Sequence, residues 1–339
     1  TQFYINRVID RANKRSIEET FKKMSFIQKT SGEELADALR TSIESMRKVT
    51  REGDIIKPMD ISSSIANSLT SEKRNFSLST GYKSLNERLG GGIMNGNLVI
   101  LAGRPGMGKT TFGLSLAENI MDNLGKEEKI LFVSLEMSPE EIFAKRASKL
   151  CGVPAIDILI SDTLNEKQIG DITMSLRELH NKPFLMNKTS PLSVNDIEGL
   201  IDADEGIKCV FIDHVGLISP SRTMKGKSTN DIVSDITKNL KQLAKRKIPI
   251  VALCQLSRKV EERGDKHPVM SDLRDSGSIE QDADVVMLLY RDDYYSGVTR
   301  KYWEPSELEL ILGKSRFGST GTLKFDVYFG TETIAEKAM

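Results

Sequence analysis

Cysteine is scarce: the 339 residues carry three thiols, Cys151, Cys209 and Cys254. Cys209 and Cys254 fall inside apolar runs, where a thiol is buried, reduced and inert, so a disulfide scaffold is not expected and a reducing cytoplasm is. Histidine is as rare, and His180, His214 and His267 stand at no metal-ligand spacing from the cysteines, which argues against a zinc site. Aromatic residues make up only 6% of the chain, too few for a surface of stacking rings as the main binding device. Neither sign of charge prevails, with 48 basic and 48 acidic side chains, so affinity for a polyanion would have to come from a local patch. No apolar run approaches the roughly 20 residues that span a bilayer, and no secretory signal opens the chain. We therefore expect no membrane partner. The first residue is Thr1 rather than Met, which is expected of a fragment or a processed product.

The length suits a large core domain with a smaller appendage. Residues 1–52 read as a helical hairpin, with apolar stripes Ile5, Val8, Ile9, Ala12 and Leu35, Leu39, Ile43, Met46 at helical spacing. Residues 53–79 read as a linker holding one short helix, capped by Asp60 and apolar along Ile61, Ile65 and Leu69. A helix so short is unstable alone and must dock on its own chain or on a neighbour. From residue 80 to 339 apolar strand patterns alternate with helices. The runs 98–102, 130–135, 209–213, 250–254 and 284–290 are candidate strands, the first several of them nearly continuous apolar runs, as in a parallel sheet covered on both faces. Runs 308–312 and 322–327 alternate and predict an antiparallel edge. The expected fold class is α/β, three layers around a mostly parallel central sheet.

One junction is unusually informative. The strand pattern 98–102 runs into Gly103-Arg104-Pro105-Gly106-Met107-Gly108-Lys109-Thr110-Thr111, and a helix pattern with Phe112, Leu116 and Ile120 follows. That is a phosphate-binding loop in its required strand–loop–helix setting. Its glycines let successive N–H groups turn inward toward phosphate oxygens, and the helix N-terminus adds positive potential. Lys109 would reach the β- and γ-phosphates of a nucleoside triphosphate, and the Thr110 hydroxyl would hold Mg2+.

Ligands of open parallel sheets sit at the C-terminal strand ends, and three more polar residues are delivered there. Glu136 follows run 130–135 and could orient a water attacking the γ-phosphate, although Ser138 is the better cap for the helix that follows. Asp213 ends run 209–213 and would support Mg2+ opposite Thr110. Gln255 follows run 250–254 and could sense the γ-phosphate. The loops beyond the last two strands are basic: Arg222, Lys225 and Lys227, then a lysine-rich helix over 231–247, and later Arg258, Arg263, Lys266 and Arg274-Asp275-Ser276-Gly277. Such loops would grip a sugar-phosphate backbone with little regard to sequence and with strong salt dependence; a solvated basic face explains many of the same charges. Lys314 and Arg316 lie between Gly313 and Gly318, on what reads as a turn between strands, where a cation could complete a neighbour's nucleotide site.

Together the motifs resemble those of the replicative ring helicases of the DnaB family over roughly residues 60–339. The blocks that carry the resemblance are 80–86, 102–112, 134–138, 211–214, 255–258, 271–284 with 285–292, and 313–318. The resemblance implies a RecA-like ATPase domain in a homo-hexameric ring, ATP and Mg2+ between subunits, and single-stranded DNA in a central channel, moved 5′ to 3′. Primase and a helicase loader are further partners it implies, in a bacterial cytoplasm or nucleoid, the gene being the host's or a phage's. By motif position Lys109 and Thr110 bind phosphate and metal, Glu136 activates water, Asp213 supports the metal, Gln255 couples hydrolysis to DNA, and Lys314 and Arg316 act in trans. Arg274, Asp275 and Gly277 match a DNA-contacting loop, and the helix near Asp60 matches a linker that docks on the adjacent subunit. The alternative is a RecA-like DNA-dependent ATPase that serves as a recombinase or loader without processive unwinding; a small-molecule phosphotransferase is a third reading, but no segment declares an acceptor pocket.

Overall fold

The computed structural model describes residues 58–70, 77–221, 224, 227–246, 248–298, 300–301 and 303–337, with side chains at 60, 64, 68–70 and 274–278 left aside. The hairpin expected over 1–52 lies outside the described residues, as do positions 53–57, Arg222 and Lys225. Two compact units divide at Arg74/Asn75. In the first, helix α1 spans Pro58–Thr70. It begins two residues before Asp60, so the expected cap lies inside the helix. Proline suits a first helical turn, where its missing N–H is no loss.

The second unit is built on a nine-stranded sheet. Its strands in chain order are β3 (Leu98–Gly103), β4 (Lys129–Ser134), β5 (Phe184–Met186), β6 (Ile207–Asp213), β7 (Ile250–Gln255), β8 (Val285–Tyr290), β9 (Ser306–Ser315), β10 (Gly321–Tyr328) and β11 (Thr333–Glu336). A separate antiparallel pair, β1 (Ser77–Leu78) and β2 (Ile93–Met94), precedes them. Across the sheet the order is β5-β4-β6-β7-β3-β8-β9-β10-β11. The first six are parallel, and β9, β10 and β11 are antiparallel at one edge, as the alternating runs predicted.

The helices are α2 (Lys83–Leu89), α3 (Lys109–Met121), α4 (Pro139–Cys151), α5 (Ala155–Ile160), α6 (Glu166–His180), α7 (Val194–Asp202), α8 (Thr229–Arg246), α9 (Gly277–Asp282) and α10 (Asp292–Ser296). The pleat of β3 shows how three layers arise. Val99 and Leu101 join a core with Phe112 and Leu116 of α3, whereas Leu98, Ile100 and Ala102 join a second core with Ile236, Leu240 and Leu243 of α8. Alternate residues point to opposite faces, so a continuous apolar run is what a doubly covered strand needs.

The first core packs α3 through aromatic contacts. Phe112 lies edge-on to Phe325 at 5.3 Å between ring centroids, and Tyr82 packs edge-on to the same ring at 5.0 Å. Burial raises the Tyr82 phenol to about 12 while its hydroxyl shares a 2.7 Å hydrogen bond with Ser115. Helix α4 opens with a full capping box: Ser138 accepts from the Glu141 amide, and the Glu141 carboxylate accepts from the Ser138 amide. Ser138 is thus the cap, which leaves Glu136 outside the helix.

Candidate active site

Strand β3 ends on Gly103 and α3 starts at Lys109, so the phosphate loop spans the sheet's C-terminal rim. Gly106 and Gly108 take φ of 78° and 89°, a left-handed region that glycine enters freely. A Cβ on Gly108 would lie 2.9 Å from the Phe329 ring, and one on Gly106 2.8 Å from Tyr294. Gly108 is the N-cap and brings no capping side chain, which leaves first-turn N–H groups of α3 open to an anion.

Lys109 Nζ donates to the Arg104 carbonyl at 3.1 Å, a resting position inside the loop. Burial lowers its pKa, and the nearby Asp213 carboxylate works against that shift. The Thr110 hydroxyl donates to Asp213 Oδ2 at 2.7 Å. Asp213 is itself buried, and burial raises its pKa against the opposing Thr110 bond. Among the described residues no three His, Cys, Asp or Glu side chains cluster as a metal cage. A hydroxyl paired with one carboxylate is instead the sparse, all-oxygen donor set that Mg2+ uses when phosphates supply further ligands.

Register assembles the rest. Ser134 pairs with Asp213 across β4 and β6, and Gly103 pairs with Gln255 across β3 and β7. Four neighbouring strands thereby present Lys109, Thr110, Glu136, Asp213 and Gln255 on one rim. Glu136 is exposed, with a carboxylate oxygen 3.6 Å from His214 Nε2. Gln255, the last residue of β7, is exposed.

Three loop side chains are engaged elsewhere. Arg104 bonds the Leu256 carbonyl at 2.8 Å and pairs with Glu261 at 2.8 Å, fixing the segment after β7. Met107 is buried in the first core. The Thr111 hydroxyl donates to Glu332 at 2.6 Å. For these three, only backbone N–H groups are left for phosphate.

Lys314 is not on a turn, because β9 continues through Ser315 and pairs Lys314 with Val286. That pairing sets it at the start of β8, the rim opposite the phosphate loop. Its ammonium donates to the Glu280 carbonyl at 2.7 Å, and Arg316 pairs with buried Asp284 at 3.2 Å. Within one chain neither cation joins the site. The segment expected as an open loop is helical: Arg274 and Asp275 lie in a 3-10 helix over Met270–Ser276, and Gly277 opens α9. Lys227 is exposed just before α8.

Sequence reasoning missed one wall of the site. A hollow of about 740 Å³ adjoins the loop at Gly106 and is bounded by Lys145, Arg291, Phe329 and Glu332. Arg291 donates to the Gly106 carbonyl at 3.0 Å and lies 4.1 Å from the Phe329 ring centre. Arg291 directly follows β8, so the strand-end rule that picked Glu136 and Asp213 also reaches it. Phe329 and Glu332 sit in the β10–β11 turn, which carries no comparable sequence signal.

The model of the DnaB-like helicase C terminal domain family matches residues 77–334. Among curated proteins, a probable replicative DNA helicase of Trieres chinensis is 36% identical over 314 residues, covering 90% of this chain and 68% of that protein. Replicative DNA helicase DnaB of Geobacillus stearothermophilus is 37% identical over 251 residues, 72% of this chain and 53% of that protein. The chain thus spans between about half and two thirds of the length of these relatives. A solved structure described as an ATPase domain superposes with TM-score 0.74 at 30% identity, covering 83% of this chain and 99% of that one. A DnaB-like replicative helicase, described with its interactions with primase, superposes with TM-score 0.78 at 26% identity, covering 99% and 78%.

Proposed function

The chain belongs to the DnaB-like helicase C-terminal domain family, and from that premise we propose that it is the ATP-driven motor of a replicative DNA helicase. The observation that carries this reading is the 2.7 Å bond from Thr110 to Asp213 beside Lys109, with Glu136 and Gln255 on the same rim. In this reading the loop amides of 103–111 and the Lys109 ammonium hold the triphosphate. Thr110 and Asp213 hold Mg2+, which when bound neutralises charge on the phosphates. Glu136 orients water in line with the γ-phosphate and accepts its proton. His214 lies 3.6 Å from that carboxylate. Gln255 reads the γ-phosphate and passes its presence to the segment 256–277.

Lys314 and Arg316, far from their own loop, fit a role in trans: a neighbouring copy's rim would receive them in a homo-hexameric ring. Lys227, Arg222, Lys225 and the Arg274–Gly277 segment would hold the backbone of single-stranded DNA in the channel. Primase and a loader are proposed partners, and the cytoplasm the proposed setting. Among the described residues no helix is long and apolar enough to cross a membrane. The test is unwinding of a forked duplex with MgATP. Separation that requires a 5′ tail and hydrolysis is expected; DNA-stimulated hydrolysis with no strand separation would favour the recombinase or loader reading.

A further inference from the structure

The turn that carries Phe329 is fastened at several points to the helices beside it. Its last residue, Glu332, has φ of 52°, the one non-glycine residue with positive φ among those described. An L side chain there carries a backbone penalty, so something must hold it. Both carboxylate oxygens are used. Oε2 accepts from the Thr111 hydroxyl at 2.6 Å, and Oε1 pairs with Lys145 Nζ at 2.5 Å. The side chain is only 10% exposed, so both bonds are sheltered from water and salt. Two residues back, the Gly330 carbonyl accepts from Ser148 at 3.2 Å. The turn is therefore tied to α3 at the residue after Thr110 and to α4 at Lys145 and Ser148.

What the ties position is Phe329. Its ring lies so close to Gly108 that no Cβ fits between them, and the Arg291 guanidinium sits over it. This ring and guanidinium form the flat wall of the hollow that continues from the phosphate loop. Resting on the reading that the loop takes a nucleotide, the hollow is where the base and sugar go, since phosphates occupy the loop itself.

We propose that Glu332 is a positioning residue for nucleotide binding: by bridging Thr111 and Lys145 it holds the Phe329 wall at a fixed distance from the phosphate loop. Glu332 borders the hollow, but both its carboxylate oxygens are engaged by Thr111 and Lys145, so its part is to hold the wall rather than to bind. Its loss loosens the wall and leaves the loop amides in place, so the effect falls on ligands that carry a nucleoside and spares those that do not.

The experiment compares equilibrium binding of MgADP and of magnesium pyrophosphate to the full chain and to Glu332→Gly and Lys145→Met. Glycine adopts φ near 50° without strain, so Glu332→Gly removes the carboxylate without adding a backbone penalty. MgADP affinity should fall about tenfold in Glu332→Gly, as expected from losing a sheltered charged bridge, and pyrophosphate affinity should stay within about twofold. Lys145→Met should shift MgADP affinity in the same direction by about threefold, having lost one of the two ties. In turnover, KM for ATP should rise while kcat at saturation holds, a split that general loosening of the fold does not give. Equal weakening of both ligands would overturn the proposal, because Glu332 would then act on the loop. Variants that bind MgADP like wild type would overturn it too. Wild-type protein that binds neither ligand would overturn the nucleotide reading, and this inference with it.

Discussion

Gly108→Ala perturbs the phosphate loop at its tightest point, and the structure sets the size of the effect. Gly108 sits at φ 89°, ψ 26° as the N-cap of α3. An L residue in that left-handed region costs about 1–2 kcal/mol. The new methyl would also lie 2.9 Å from one Phe329 ring carbon and 3.1 Å from another, and forcing such contacts apart typically costs about 1–3 kcal/mol. The sum, about 2–5 kcal/mol, corresponds to a Tm lower by about 5–15 °C in a domain of this size. Gly152→Ala is the control. Its φ is 71°, but nothing lies within 4 Å of the added methyl, so only the backbone penalty applies, and it falls outside the loop. Thermal melting, with and without MgADP, separates the two. Intrinsic fluorescence offers a binding signal, because Trp303 is the only tryptophan in the sequence and directly precedes Glu304, which lines the hollow. Gly108→Ala should lose at least about tenfold in MgADP affinity through misdirected amides, while Gly152→Ala binds as wild type. Identical melting of the two variants together with unchanged MgADP binding would mean that neither the Phe329 contact nor the loop conformation matters at Gly108.

Three further outcomes follow from the same geometry. Phe112→Ala empties a fully buried site behind the loop and should lower stability by about 3–5 kcal/mol in denaturant titrations. Asp293 is pushed up by burial, but its Ser306 bond and the Arg291 and Arg300 guanidinium groups outweigh that and leave its pKa below the ordinary aspartate value. A depressed carboxylate contributes stability above its unfolded pKa of about 3.9 and loses it as pH falls through the folded value; melting of Asp293→Asn should therefore depend less on pH in that acid window than wild type does. Arg316→Ala should lower ATP turnover by about 10³-fold, in the range for a cation supplied in trans, with MgADP affinity retained; loss of MgADP binding would remove Arg316 from that role.

Much of this architecture was legible because its signals are local. A continuous apolar run marks a strand buried on both faces, and the residue after such a run falls on the ligand-bearing rim. That rule places Glu136, Asp213 and Gln255 correctly on the rim before any coordinates. What stayed hidden depends on tertiary pairing. β5, with three residues, and β11, with four, are too short to show a period. Lys314 reads as part of a turn because glycines flank it, yet pairing with β8 carries β9 past it. Asp60 has the chemistry of a cap, but Pro58 starts the helix sooner. Thr111 reads as a phosphate ligand, and only the fold reveals that its hydroxyl belongs to Glu332, 221 positions away.

We propose that ATP is cleaved where one copy's phosphate loop meets another copy's Arg316, and that this cleavage answers to a DNA strand. The decisive measurement is ATP turnover per chain over a dilution series, with and without single-stranded oligonucleotide. The rate per chain should climb with protein concentration to a plateau and rise further when DNA is added. A rate per chain that is constant on dilution and indifferent to DNA would contradict it.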